Sequence, residues 1–269
     1  PKDGVTLLMV HGNPTWSLYY RNLIKAFSKN YRCVVPDHIG CGLSDKPQDY
    51  KYTLEQRISD VEELVAELDL KNVVLVVHDW GGAIGMGLAG RHPELFEGFV
   101  VFNTAAFLSK FIPFSINICK IPVFGEVAVR GFNGFAQVAQ IRAIHDRSKL
   151  SGPVREGYLM PYDSWANRIA VHQFVKDIPM APSHPTYETL LGVENGLAQF
   201  KEHPMLIVWG DEDFCFNADF RRQWEERFPD ADVHALADAS HYVVEDALDD
   251  IVVWMSGFLE QKLGSDNAA

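Results

Sequence analysis

Residues 73–82 read Val73-Val74-Leu75-Val76-Val77-His78-Asp79-Trp80-Gly81-Gly82. Five apolar residues, most of them β-branched, predict a buried strand. The two glycines and the apolar residues 83–89 behind them predict a tight turn into a helix. A strand that ends at one reactive side chain and turns at once into a helix is typical of a nucleophile elbow. The side chain at the tip is here Asp79 rather than Ser or Cys.

The composition of the whole chain sets limits on its partners. The 269 residues are 47% hydrophobic and 22% charged, which is ordinary for a soluble globular protein. The net charge is -12, and because nucleic acids and anionic membranes attract basic surfaces, neither is predicted as a partner. The four cysteines (Cys33, Cys41, Cys119 and Cys215) show no metal-ligand spacing. We therefore expect no disulfide framework and a reducing, cytoplasmic location.

Strands and helices alternate on both sides of the elbow. Apolar strands are predicted over 5–10, 31–36, 73–77, 98–103, 205–210 and 231–236, and helices over 18–28, 187–199, 219–227 and 247–261. A further helix is predicted behind a capping box formed by Thr53 and Gln56. This alternation predicts an α/β fold with a mostly parallel sheet and helices on both faces. Low complexity is confined to residues 264–269.

The alternation stops between residues 104 and 185. This stretch is rich in Phe and contains several Pro. We interpret it as an inserted helical cap, with residues 1–103 and 186–269 forming the α/β core. Some of its aromatic side chains are expected to face a cavity, because a lid over a pocket has two apolar sides. The candidates are Phe107, Phe111, Phe114, Phe124, Phe132 and Phe135.

Polar side chains stand where the predicted strands end. Asn13 follows the first strand, Asp79 and Trp80 end the elbow strand, and Asp213 and His241 follow the last two strands. Ligands bind at the carboxyl ends of the strands in an open parallel sheet, so these side chains are expected to share one site. The order nucleophile, acid, histidine is that of the α/β-hydrolases.

A carboxylate at the tip of an elbow indicates attack at carbon rather than ester hydrolysis. It is ionised at neutral pH and needs no base to activate it. It can displace a leaving group from a saturated carbon and form an ester with the enzyme, whereas attack on an ester would give a labile anhydride. His241 would then activate water, and Asp213 would orient the imidazole. Asp211 competes for the orienting role, but Asp213 lies further past the strand end.

These residues resemble the haloalkane dehalogenase family of α/β-hydrolases. The matching segments are His11-Gly12-Asn13-Pro14, His78-Asp79-Trp80-Gly81-Gly82, the strand end at Asp213, and Ala239-Ser240-His241-Tyr242. The resemblance implies that Asp79 is the nucleophile, His241 the base and Asp213 the acid. It also implies that Asn13 and Trp80 bind the departing halide. The strand that ends at Asn103 lacks the carboxylate that one branch of the family uses as its acid, which favours Asp213.

Three further segments, 35–47, 130–133 and 161–168, are similar to the third branch of this family. That branch includes the β-lactone decarboxylases of bacterial long-chain olefin biosynthesis, which convert a cis-β-lactone to an alkene and CO2. The resemblance implies that Asn13 and Trp80 would hold the carboxyl oxygens of the lactone in that reaction. Family members usually carry a hairpin before the segment that begins here at Val5. The first residue is Pro1 rather than Met, so we expect the natural N-terminus to lie upstream.

The leading interpretation is a haloalkane dehalogenase, with a cis-β-lactone decarboxylase as the first alternative. Two further functions stay open. An epoxide hydrolase would need acidic hydroxyls, which Tyr158, Tyr162 or Tyr187 could supply. A receptor on a hydrolase scaffold would keep the pocket without turnover. The dispersed histidines and the lack of a phosphate-binding loop predict neither a metal site nor a cofactor. The expected partner is a small apolar substrate, a haloalkane or an alkyl β-lactone, without stable membrane insertion. A homo-oligomer and a complex with pathway enzymes both stay open.

Overall fold

The computed structural model describes residues 4–263, and six parallel strands within this range form one central sheet. The low-complexity stretch 264–269 lies outside the described residues. The strand order is β2-β1-β3-β4-β5-β6. The strands are β1 (Thr6–Val10), β2 (Arg32–Val34), β3 (Val73–Asp79), β4 (Phe96–Thr104), β5 (Met205–Gly210) and β6 (Asp232–Leu236). The predicted α/β fold with a mostly parallel sheet is confirmed.

Helices connect the strands and cover the sheet. They are α1 (Arg21–Phe27), α2 (Leu54–Glu67), α3 (Trp80–Arg91), α4 (Phe114–Asn117), α5 (Phe124–Glu126), α6 (Gly134–Arg142), α7 (Gly152–Leu159), α8 (Ile169–Lys176), α9 (Tyr187–Gly196), α10 (Ala218–Arg227), α11 (Val243–Asp246) and α12 (Leu248–Leu263). Among the described residues, none of the helices is both long and apolar enough to cross a membrane.

The apolar runs of β1 and β3 are buried on both faces because each face packs against a different set of helices. Leu75 and Val77 belong to one apolar cluster, which includes side chains of α2, α3 and α9. Val74 and Val76 belong to a second cluster, which includes side chains of α1 and α12. Successive side chains of a strand point to opposite faces, so the continuous apolar sequence of β3 matches its central position.

Local signals explain the start of α2 and the end of β2. The Thr53 side chain accepts a hydrogen bond from Gln56 N, as the predicted cap requires. The Gln56 side chain instead donates to Asp60, so only half of the predicted capping box forms. The predicted strand 31–36 is shorter, because Pro36 cannot donate to a ladder and Asp37 instead accepts backbone N–H groups from Ser17 and Leu43.

Residues 104–185, called the cap segment below, contain helices α4 to α8, several single turns and, after the last residue of β4, no strand. All of these residues are described. The segment has an apolar cluster of its own that includes Val129, Tyr162 and Val171. The helices are short, so the backbone changes direction often and presents side chains both to the sheet and to the outside.

Candidate active site

The strand order reverses between β1 and β3, and the candidate site lies at this point. The chain runs from β1 outward to β2 and then returns to β3 on the other side of β1. Such a reversal opens a crevice at the carboxyl ends of the two strands. Asn13 follows β1 and Asp79 ends β3, and the Asn13 backbone N–H donates to Asp79 Oδ1 at 2.6 Å. The two loops therefore meet at the Asp79 carboxylate.

The Asp79 backbone adopts a conformation that L-residues rarely take. Its φ is 53° and its ψ is -128°, so the turn from β3 into α3 carries local strain. Gly12 makes the approach of the β1 loop to this turn sterically feasible, because a Cβ at Gly12 would lie 2.1 Å from Asp79 Oδ1. Gly81 does the same on the other side, where a Cβ would lie 2.0 Å from the Val10 carbonyl oxygen. The Thr104 hydroxyl donates to the Asp79 carbonyl and helps to hold the strained turn.

Asp79, His241 and Asp213 lie in one line of buried polar atoms. His241 Nε2 is 3.5 Å from Asp79 Oδ2. His241 Nδ1 is 2.7 Å from Asp213 Oδ2. Asp213 Oδ1 accepts the backbone N–H of Cys215 at 2.6 Å. The imidazole therefore has one nitrogen fixed by a carboxylate, and its other nitrogen faces the elbow.

Asn103 stands beside Asp213 and restrains it. The Asn103 side chain donates to Asp213 Oδ2 at 3.0 Å and to the Gly210 carbonyl at 2.9 Å, and it accepts the Gly210 N–H at 2.9 Å. The sequence analysis considered Asn103 only because this strand end carries no carboxylate, and it did not predict the contact with Asp213. That contact could have been predicted from the position of Asn103 near the end of β4, which is next to β5.

Burial and the neighbouring charges shift the pKa values of this group. Burial raises the pKa of Asp79 above its ordinary value, against the opposing effects of His241 and the N–H groups of Asn13 and Trp80. Burial alone would lower the pKa of His241, but Asp213 and Asp79 together raise it above its ordinary value. Asp213 and Asp79 thus stabilise the imidazolium that forms when His241 accepts a proton.

The loop that carries His241 is tied to the cap segment and to β3. Its neighbour Tyr242 donates its backbone N–H to the Ala143 carbonyl. Its other neighbour, Ser240, donates its backbone N–H to Asp246, which also accepts backbone N–H groups at residues 145–146. The His78 side chain hydrogen-bonds the His241 carbonyl oxygen at 2.8 Å. The histidine is therefore held from both sides.

A cavity of about 360 Å³ lies over these residues. Asn13, Asp79, Trp80 and His241 line it, and most of its wall is apolar. Four of the six phenylalanines that were candidates to face a cavity do line it, namely Phe107, Phe111, Phe124 and Phe135. The other two, Phe114 and Phe132, are exposed and do not. The cavity fits a small apolar molecule with one reactive end.

The family follows from comparison with known proteins. A family model described as the alpha/beta hydrolase fold matches residues 5–248. The chain belongs to the α/β-hydrolase family. A cis-3-alkyl-4-alkyloxetan-2-one decarboxylase of Shewanella oneidensis is 46% identical over 265 residues, which are 96% of this chain and 83% of that protein. A second, from Xanthomonas campestris, is 39% identical over 97% of this chain and 90% of that protein.

Haloalkane dehalogenases are also relatives of this α/β-hydrolase. Haloalkane dehalogenase 2 of Mycobacterium bovis is 28% identical over 92% of this chain and 85% of that protein. The crystal structure of a loop variant of a Bradyrhizobium elkanii haloalkane dehalogenase superposes with a TM-score of 0.88 at 23% identity, over 99% of this chain and 92% of that one. The resemblance predicted from the sequence motifs is confirmed.

Asn13 and Trp80, the two residues predicted to bind the leaving group, both line the cavity of this hydrolase. One N–H of the Asn13 amide donates to the Val171 carbonyl at 3.2 Å, which leaves its second N–H for a ligand. The Trp80 ring packs against Phe174 with centroids 5.4 Å apart. Both side chains are therefore positioned by the cap segment as well as by the core.

Other candidates are placed away from the cavity. Asp211, the competitor of Asp213, pairs with Arg221 at 3.0 Å. The Tyr158 hydroxyl donates to Glu245 and the Tyr162 hydroxyl to the Thr15 carbonyl. Neither of these tyrosines nor Tyr187, all of which are described, lines the cavity. The hydroxyl donors that an epoxide hydrolase would need are thus not at this site.

Proposed function

We propose that Asp79 attacks an alkyl carbon of a small apolar substrate and forms an alkyl-enzyme ester. The observation that carries this proposal is the unequal environment of its two carboxylate oxygens. Oδ1 is occupied by the Asn13 N–H at 2.6 Å, which leaves Oδ2, 3.5 Å from His241 Nε2, as the oxygen that attacks. The carboxylate thus enters the reaction with one oxygen held and the other available.

The leaving group departs as an anion and needs donors in an apolar cavity. We assign this role to the second Asn13 amide N–H and the Trp80 indole N–H. A small anion held by fixed donors away from water is stabilised more than in solution. In haloalkane hydrolysis this anion is the halide.

Haloalkane hydrolysis is completed by water. His241 Nε2 removes a proton from the water that attacks Cγ of the ester, and the resulting imidazolium is stabilised by Asp213 at 2.7 Å. The negative charge forms on Oδ1, which already accepts the Asn13 N–H. The bond between Cγ and the substrate-linked oxygen then breaks, and the departing alkoxide takes a proton from the His241 imidazolium. The alcohol therefore leaves with an oxygen from Asp79, while Asp79 keeps the oxygen of the water and then ionises.

A second candidate reaction is decarboxylation of a cis-β-lactone, which the 46% and 39% identical relatives favour. Asp79 would attack the saturated, alkyl-bearing ring carbon that is bonded to the ring oxygen. The C–O bond breaks, and its electron pair leaves a carboxylate on the substrate, held by Asn13 and Trp80. The carboxylate is then lost as CO2, the freed C–C electron pair forms the alkene, and the bond to Asp79 breaks. Asp79 is regenerated, and no water is consumed.

The decisive experiment is a side-by-side assay of the purified protein with 1-bromoalkanes and a cis-dialkyl β-lactone. Bromide release reports hydrolysis, and alkene with an equal amount of CO2 reports decarboxylation. The identities make the lactone the substrate to test first. Activity on neither substrate, with both substrates bound, would support a receptor instead.

We also propose that residues 104–185 act as the cap of this enzyme and that residues 1–103 and 186–269 form its core. The direct contact of Val171 with Asn13 and of Phe174 with Trp80 supports this division of labour. We assign the protein to the cytoplasm, supported by four cysteines that are free rather than paired.

A further inference from the structure

One face of the cap segment exposes an unusual number of large apolar side chains. We call it the 111–127 face. It spans α4, α5 and the turns beside them, which pack on one another. Phe114 and Val123 are 80% and 75% exposed. Its exposed members are Phe111, Phe114, Ile121, Val123, Phe124 and Val127. Single exposed apolar residues are common, but six within 17 consecutive positions form a patch of the kind that marks an interaction surface.

This face continues into the cavity. Phe111 and Phe124 are 47% and 55% exposed, yet both also line the cavity. Ile116 and Ile118, from the same segment, line it as well. An apolar molecule could therefore pass from the outer face to the site above Asp79 without crossing a charged rim.

The charge around the 111–127 face is opposite to that of the whole chain. Between Asn103 and Glu126 the only charged residues are Lys110 and Lys120. Glu126 is paired with Arg130 at 2.9 Å. The cap segment has nine Lys and Arg against five Asp and Glu, a balance of +4, while the remaining residues sum to -16 of the total of -12. The excess of acidic residues, which argued against an anionic surface as partner, thus lies outside the cap segment.

We propose that the 111–127 face docks on the surface of an anionic phospholipid bilayer and receives apolar substrate from it. The exposed Phe and Val side chains would enter the boundary between head groups and acyl chains, and Lys110 would contact the anionic head groups. Substrates with long alkyl chains partition into bilayers, so the cavity would open where they are concentrated. This inference rests on the proposed function only in that the substrate is apolar.

The test is co-sedimentation of the full chain with vesicles of phosphatidylcholine alone or mixed with phosphatidylglycerol. Binding is expected to the mixed vesicles and to weaken at high salt. The double variant Phe114→Ser/Val123→Ser should reduce the partition coefficient by at least about tenfold, because two exposed apolar side chains are lost. Leu43→Ser/Val253→Ser is the matched control and should bind like the parent. These residues are 74% and 68% exposed but lie outside the cap segment.

Other outcomes separate this inference from the proposed function. Neither Phe114 nor Val123 lines the cavity, so turnover of a short, water-soluble bromoalkane or lactone should be unchanged in the double variant. Lack of binding to both kinds of vesicle by the parent would overturn the inference and leave the proposed function untouched. So would a parent dimer that the double variant converts to a monomer, because the face would then join two copies. If the double variant does not fold, Lys110→Glu replaces it and should weaken binding to the mixed vesicles only.

Discussion

The carboxyl edge of the sheet and the cap segment meet at one cavity but are built differently. At the sheet edge, buried hydrogen bonds position the polar side chains, as for Asp213 with Asn103 and Cys215. In the cap segment, short helices present Phe side chains both to the cavity and to the outside. Under the proposed function, the chemistry would depend on backbone positions in residues 1–103 and 186–269. Substrate choice and access would depend on side chains of the cap segment, which can change without disturbing those positions.

The largest expected effect comes from the sheet edge. Asp79→Ala removes the attacking oxygen, so turnover of either substrate should fall on the order of 10⁴-fold or more. Steady-state rates of bromide or alkene formation measure it. Asp211→Ala is the control, because it removes another strand-end carboxylate, one paired with Arg221 rather than with His241. Full activity in Asp79→Ala would end the covalent scheme.

The next effect distinguishes the two reactions. His241→Gln should slow bromoalkane hydrolysis by about 10³-fold, because water is no longer activated. The alkyl-enzyme should then accumulate, visible by mass spectrometry on the peptide that contains Asp79. With the lactone no adduct should accumulate, since loss of CO2 itself expels Asp79. A bromoalkane reaction without an adduct in this variant would contradict the role of His241.

Trp80 lies between the two regions, and its replacement should have a smaller effect. Trp80→Phe removes one N–H donor from the leaving anion, so kcat/KM should fall about 10- to 100-fold. Binding of bromide, followed by quenching of tryptophan fluorescence, should weaken in parallel. Trp165→Phe, in the cap segment but away from the cavity, provides the comparison. Equal bromide binding by parent and Trp80→Phe would remove Trp80 from the anion site.

The pH dependence should also differ between the two substrates. Hydrolysis needs neutral His241, whose pKa is raised by Asp213 and Asp79 against the effect of burial. The rate should therefore fall about tenfold per unit as pH drops through this raised pKa, above the ordinary value of about 6.5. Lactone opening needs only ionised Asp79, whose ordinary pKa is lower than that of histidine although burial raises it, so its acid limb should lie at lower pH. Profiles of kcat for both substrates test this, because kcat includes hydrolysis of the alkyl-enzyme whereas kcat/KM reports only its formation. Coincident limbs would mean that His241 is needed for both.

The smallest effect is expected in the cap segment. Phe135→Ala enlarges the cavity, so KM for a short bromoalkane should rise by about tenfold, whereas kcat should change little. Phe132→Ala is a close control, because Phe132 is 73% exposed and does not line the cavity. A large loss of kcat in Phe135→Ala would mean that the cap segment also aligns the reacting atoms.

The core could be predicted from the sequence more completely than the cap segment. A buried strand has an alternating or continuous apolar pattern, and its carboxyl end is a fixed place in a parallel sheet. The positions of Asn13, Asp79 and Asp213 could therefore be predicted from their strands. The arrangement of the cap segment could not, because its helices are too short for periodicity to show. Which Phe side chains face the cavity depends on tertiary packing, as Phe132 and Phe135 demonstrate.

The positive φ of Asp79 has a consequence for how such a protein evolves. Holding a non-glycine residue in this conformation costs on the order of 1–3 kcal/mol, whereas glycine adopts it with little strain. A descendant freed from the need for turnover would gain stability by exchanging Asp79 for glycine. Backbone stability and the proposed role of Asp79 as nucleophile therefore favour different residues at this one position. At φ 53°, Asp79 stands against the conformational preference of its own backbone.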